Sequence, residues 1–200
     1  MIVIDCIQDS EEWYKLKCGV PSASNASKIL TNDGKPSKQQ EGYLYELVAE
    51  RITGKQEETY KNINMLIGNE REAESREAFE FMHKVKTQQV GVIYKDERKL
   101  FLCSPDSIIK KIKTGLELKN PLPKTQVKYL LDGGLPNEYF GQCQMSLYIT
   151  GFKVWWFMSY VPVIKPLIIE VKRDETYIRA LAIELELFCE RLNEITNKLK

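Results

Sequence analysis

The sequence predicts an α/β protein in which a helical first half leads into a small mixed sheet flanked by further helices. Three observations carry that reading. Runs rich in aliphatic and aromatic residues recur at 87–95, 99–104, 114–119, 153–161 and 166–172, as strands require. Segments with apolar residues three and four apart precede and separate them, as helices require. A chain of 200 residues with 43% hydrophobic content can build one core with helical additions, and no repeat or linker divides it, so residues 1–200 read as a single domain.

Taken in order, SEEWYKLK predicts a short helix capped by Ser10. SASNASKIL starts a second helix, which the turn cluster NDGKPS ends. EGYLYELVAERITG predicts a third, with Tyr43, Leu47 and Ile52 marking its apolar stripe. A long helix is expected over 61–83, with His83 near its end interacting with the helix dipole. Another helix covers 137–150. In the strand at 153–161, Trp155 and Trp156 must face opposite ways, one into the core and the other towards an interface. The last segment places Ile178, Leu181, Leu185, Phe188, Leu192, Ile195 and Leu199 three and four apart, which predicts a long helix packed on the core rather than a coiled coil.

Charge narrows the function classes. Twenty-nine basic residues against 28 acidic ones leave no global positive field to hold a polyanion, so any grip on nucleic acid must be local or use bound metal. The five cysteines are scattered and form no CxxC pair, which argues against a disulfide framework or a zinc knuckle and fits a reducing cytoplasm. MIVIDCIQDSEEW turns acidic too soon for a signal peptide, and VWWFMSYVPVI is too short and interrupted for a membrane span.

The chemistry concentrates in CSPDSIIKKIKTGLELKNP. Strand alternation puts Glu117 and Lys119 on one face of GLELK and Leu116 and Leu118 on the other. A hairpin through KKIKT, whose lysines 110, 111 and 113 form a solvated turn, brings Asp106 beside Glu117. Adjacent carboxylates repel, and a divalent cation relieves the repulsion. Magnesium suits such a site because it takes oxygen ligands, often one or two carboxylates, and keeps several waters. An adjacent lysine can orient or activate an attacking water, so the implied reaction is phosphodiester hydrolysis. From these residues alone, a solvated hairpin with a surface Glu–Lys pair is the alternative.

Six segments in one order extend the case. EEWYKLKCGVPSASNAS, IGNEREAESREAFEF, CSPDSI, GLELKNP, YFGQCQMSLYITG and VKRDETY together resemble the lambda exonuclease, or YqaJ-like, family of phage recombination nucleases, on the restriction-endonuclease-like PD-(D/E)xK fold. The resemblance implies that Asp106, Glu117 and the backbone carbonyl of Leu118 bind metal, that Lys119 acts on the water, and that Glu72 completes the acidic site. Periodicity does not choose between Glu72 and Glu74; the family pattern does. Gln142 would orient Lys119 or the water, while Gln144, on another helix face, lies outside the site. Lys17, Ser22, Ser24 and Ser104 map to the pocket for a terminal 5′ phosphate, and Ser22 and Ser24 also suit a helix cap. Two departures stand out: Lys17 where lambda exonuclease has arginine, and Ser107 where the family often has glycine.

The resemblance implies an exonuclease using Mg2+, with Mn2+ as an alternative and two ions expected. It would degrade duplex DNA from the 5′ end and leave 3′ overhangs for a single-strand annealing partner. Rings of three are typical of the family. A structure- or site-specific endonuclease is the same-class alternative, and a catalytically silent DNA-binding scaffold is the alternative of another class.

Overall fold

Ser10 opens the first helix as its sequence predicts. In the computed structural model, which describes the backbone of residues 1–56 and 63–200 and the side chains of 1–56 and 71–200, its hydroxyl accepts from the Trp13 amide at the start of α1 (Glu11–Lys17). The second helix begins differently from expectation: a 3-10 turn, Ala23–Asn25, precedes α2 (Ala26–Ile29), and neither Ser22 nor Asn25 caps with its side chain. Ser22 is instead extended and bridged to Leu102, with its hydroxyl taken by Asn25.

Helix α3 spans Gln40–Thr53 and ends on Gly54 in the left-handed region. Tyr43 and Leu47 are buried, but Ile52 is 45% exposed. Nine residues separate Ile52 from Tyr43, which at about 100° per residue puts them on opposite faces; Leu44 and Val48 complete the buried stripe instead. Helix α4 spans Ile63–His83. Residues 61–62 of the expected helix lie outside the described residues.

The strands form two sheets rather than one. An antiparallel sheet of order β1-β2-β3 joins Ile2–Ile4, Val92–Tyr94 and Leu102–Cys103. A mixed sheet of order β4-β5-β6-β7 joins Ser107–Ile109, Thr114–Lys119, Val154–Ser159 and Leu167–Lys172, with β5 and β6 parallel. The expected strand at 87–95 is shared between them: Gln88 bridges Ile108 of the mixed sheet, while only Val92–Tyr94 joins the antiparallel one.

A parallel pair requires a long crossover, and here it carries α5 (Pro123–Asp132) and α6 (Asn137–Thr150). Helix α7 (Glu175–Leu199) starts on Asp174, whose carboxylate accepts from the amides of Thr176 and Tyr177, and packs on α2, α3 and α6. Its residues from Ile178 to Leu192 in the expected stripe are buried; Leu199, at the end, is 61% exposed.

Strand β5 sits between two helical layers. Leu116 and Leu118 pack with Met158 and with Phe79 of α4, while Glu117 aligns with Phe157 and meets α6 through Gln142. Gly115 is required by its neighbour, since a Cβ there would lie 2.2 Å from the Trp155 ring. Trp155 is core, as one of the pair had to be, and Trp156 turns towards α4. His83 stacks on Phe79 at 4.4 Å and faces Trp156 at 4.8 Å, so it serves packing rather than only the helix dipole.

Candidate active site

The predicted hairpin forms. Strands β4 and β5 pair with Ser107 opposite Leu116, a turn through the exposed lysines 110, 111 and 113 joins them, and Lys113 takes a positive φ of 50°. Asp106, just before β4, accepts the Leu118 amide on Oδ2 at 2.5 Å. That bond places it beside Glu117. The Glu117 side chain is 3% exposed, and its Oε1 accepts from Lys119 Nζ at 2.5 Å and from Gln142 Nε2 at 2.6 Å. Gln142 and Lys119 thus share Glu117 Oε1 as their acceptor. The Lys119 ammonium also lies 5.3 Å from the centre of the Tyr139 ring.

Electrostatics follow from this crowding. Burial, and then the Glu117 charge, hold the Asp106 carboxyl well above its ordinary range, with Lys119 pulling the other way. Burial works to lower the Lys119 ammonium, but the charges of Glu117 and Asp106 outweigh it and hold the group above its usual value. The Asp106 Oδ1 and Glu117 Oε2 atoms accept no hydrogen bond from described residues. Cys103 and Cys143 are also near Glu117, but burial pushes both thiols up, which suits packing rather than nucleophilic chemistry.

Glu72 projects from α4, half-buried, and its Oε1 pairs with Arg76 one helical turn on. Burial raises its carboxyl despite the arginine, with smaller contributions from the charges of Lys119 and Glu117. Glu74 instead accepts from Tyr160 at 2.8 Å. Arg76 escaped the sequence reading, although its spacing from Glu72 is that of a helical ion pair. Its Nε donates to Ser107 Oγ at 2.9 Å, and that hydroxyl donates to the Asp106 carbonyl at 2.6 Å. Gln8 was also missed; its amide donates to the carbonyls of Val90 and Pro105, both at 2.9 Å, and ties the N-terminal segment to the residue before Asp106.

A second group adjoins the hairpin. The Lys17 ammonium lies 3.6 Å from the centre of the Trp13 ring, whose Nε1 donates to Ser104 Oγ at 2.8 Å. The Ser104 hydroxyl in turn donates to the Gly91 carbonyl at 2.6 Å. Burial pushes Lys17 down to about 8, against the charges of Asp9, Glu117 and Glu50. Gly19, at φ +68°, lets the chain turn sharply after α1, where Glu50 accepts its amide at 2.6 Å and Arg51 donates to its carbonyl at 2.7 Å. Lys17 and Ser104 are thus joined through Trp13, whereas Ser22 is buried beneath Tyr43 and Ser24 is exposed on the 3-10 turn. Gln144 lies apart, as expected, holding the end of β7 to the start of α7.

Among the described residues no three His, Cys, Asp or Glu side chains form a ready metal-binding cluster. The hairpin supplies two carboxylates with adjacent backbone carbonyls, an all-oxygen set that fits a hard cation retaining part of its water shell. Among the same residues, no helix is long and apolar enough to cross a membrane.

The helix-flanked mixed sheet and its Asp106, Glu117 and Lys119 hairpin define an α/β fold of the restriction-endonuclease-like PD-(D/E)xK class. The sequence profile of the YqaJ-like viral recombinase domain matches residues 12–153, and the chain belongs to that family. It is similar to the alkaline exonuclease LHK-Exo of Laribacter hongkongensis, with a TM-score of 0.85 and 25% identity over 95% of this chain and 96% of that one. The structure of LHK-Exo in complex with dAMP agrees equally well, at 0.85 and 25%, with 96% of each chain covered. A phage-related exonuclease from Haemophilus somnus 129PT shares the fold, with a TM-score of 0.69 at 12% identity over 90% of this chain and 96% of that one. No curated protein matches the sequence.

Proposed function

We propose that this chain is a metal-dependent DNA exonuclease that degrades one strand of linear duplex from its 5′ end, leaving a 3′ overhang for an annealing partner. The observation that carries the reading is the convergence of Asp106, Glu117 and Lys119 on one hairpin, in a chain similar to LHK-Exo over nearly its whole length. That coverage also supports residues 1–200 acting as one nuclease domain. The dAMP complex of LHK-Exo fits a nucleotide-releasing reaction.

In this reading Asp106, Glu117 and the Leu118 carbonyl hold the metal, with Glu72 completing the site for a second ion. Bound Mg2+, or Mn2+ in its place, supplies an acidified attacking water and neutralises charge developing on the phosphodiester. Lys119, fixed by Glu117, orients that water, and Gln142 fixes Glu117. Lys17, held over the Trp13 ring, receives the terminal 5′ phosphate together with the hydroxyls of Ser24 and of Ser104, which accepts from Trp13, whereas Ser22 is buried and its hydroxyl accepts from Asn25. The protein works in the cytoplasm as a homo-oligomer, a ring of three by family analogy.

The test is digestion of linear and covalently closed duplexes of one sequence in Mg2+ and in EDTA, with either 5′ or 3′ ends labelled. Early release of 5′ label from the linear duplex alone, abolished by EDTA, is expected. Nicking of the closed circle indicates an endonuclease, and intact DNA throughout a silent scaffold.

A further inference from the structure

Arg76 is an unusual partner for a helical glutamate because it faces two ways. Its Nη2 meets Glu72 Oε1 on its own helix, while its Nε reaches across to Ser107 Oγ at 2.9 Å. The acceptor is fully buried, the arginine side chain is 14% exposed, and Ser107 passes the contact on to the Asp106 carbonyl. An ordinary surface ion pair has none of these features. One planar guanidinium thus joins the helix carrying Glu72 to the strand start carrying Asp106. A lysine could not do this, since its ammonium is a single point on a flexible stem.

We propose that Arg76 is a positioning residue of the metal site, anchored by Ser107, that fixes the Glu72 carboxylate and the Asp106 backbone relative to one another. This rests on the hairpin being a metal site. Partners that orient ligands commonly affect affinity or activity by about ten- to a hundredfold. Arg76 also cancels charge, and that effect has the opposite sign: removing the cation paired with Glu72, if nothing else changes, leaves the site more negative and tightens metal binding. The direction of the change therefore separates positioning from neutralisation.

Mn2+ binding to the full chain, without DNA, is measured by calorimetry for the unmutated protein, Arg76→Met, Arg76→Lys, Ser107→Ala and the Arg76→Met/Ser107→Ala double variant, with circular dichroism as the check of folding. Arg76→Met is expected to weaken Mn2+ about tenfold or more. Arg76→Lys should recover only part of the loss, and Ser107→Ala should add little to Arg76→Met, because both cut one linkage. In turnover, kcat should fall while KM for DNA ends stays level. Unchanged or tighter Mn2+ binding by folded Arg76→Met overturns the inference. If that variant does not fold, Arg76→Lys decides, and full affinity there overturns it equally. Asp106→Asn is the reference: its loss of Mn2+ beside normal binding by Arg76→Met removes only the role of Arg76, whereas an unmutated protein that binds no Mn2+ removes the metal site and this inference together.

Discussion

A carboxyl buried beside another carboxylate resists ionisation, and Asp106 is held high for that reason while its Oδ2 also secures the Leu118 amide. These two facts separate its substitutions. Asp106→Asn keeps an acceptor and removes the repelled charge; Asp106→Ala leaves the amide without a partner, at a cost of about 1–3 kcal/mol. Both should abolish cleavage. Because the folded pKa lies above the unfolded one, the unmutated protein loses stability as pH rises from the ordinary carboxylate range through the raised value. Asp106→Asn should therefore melt higher than the unmutated protein at neutral pH but not in acid, and thermal scans at both pH values check this. Lys119→Ala should lower kcat by about 10²–10³-fold, the usual cost of removing one positioned donor, yet still bind duplex ends in a gel-shift assay. Normal kcat with weak binding refutes its role at the water. Lys17 adds a pH dependence of its own, since burial brings its ammonium down to about 8. Preference for 5′-phosphorylated over 5′-hydroxyl ends should be largest below that pH and decline above it, with the bound phosphate shifting the fall upwards. Lys17→Arg, charged throughout, should keep whatever preference it has across the range; rates on the two ends that never differ would remove the phosphate pocket.

Elements with internally consistent signals were legible. Strand β5 and helix α6 appear at 114–119 and 137–150 as expected, although both are buried nearly all round, whereas α7 shows its stripe because its three-and-four spacing coincides with burial. Helix α5 was hidden because its pattern misleads: Val127 and Leu131 are exposed, while Gln126 is wholly buried and bonded to the backbone of Ser159 and Lys165. Strands β1 and β4 are three residues each, too short for periodicity to register. The site divides in the same way. Asp106, Glu117, Lys119 and Gln142 could be read from local order and family pattern, but the Arg76–Ser107 link joins residues 31 apart in sequence and exists only once α4 meets β4. Gly115 opens the GLELK motif, but the need for glycine there arises across strands, from the Trp155 ring. Gly115→Ala should shift that ring or the strand and destabilise by about 1–3 kcal/mol, as overpacking does. Because β5 carries Glu117 and Lys119, activity should fall as well in the fraction that remains folded. Urea denaturation combined with specific activity checks both, and unchanged values would show that Trp155 can yield without moving the site.

At the scale of the whole molecule, a net charge of +1 leaves the proposed exonuclease little global attraction with which to stay on a polyanion from one cut to the next. Electrostatic retention requires many phosphate contacts, and each makes binding steeply salt-dependent, with a slope of about −0.9 per phosphate in log K against log salt. A nearly neutral chain has little of this to draw on, whereas a closed ring holds duplex by enclosure and depends on salt chiefly when an end is captured. The trimer proposed from family analogy thus makes a physical prediction beyond its mass. Sedimentation should give about three times the 23.2 kDa of one chain. Raising salt after an end has been loaded, with excess unlabelled duplex as a trap, should leave the length of DNA degraded per binding event nearly unchanged, while raising it before loading should slow initiation. Dilution to monomer should shorten the digested tract even where the metal chemistry, measured on a short oligonucleotide duplex, is unaffected. A monomer whose tract length falls steeply with salt would show instead that local basic patches hold the DNA, and the neutral overall balance would then conceal a strongly uneven surface.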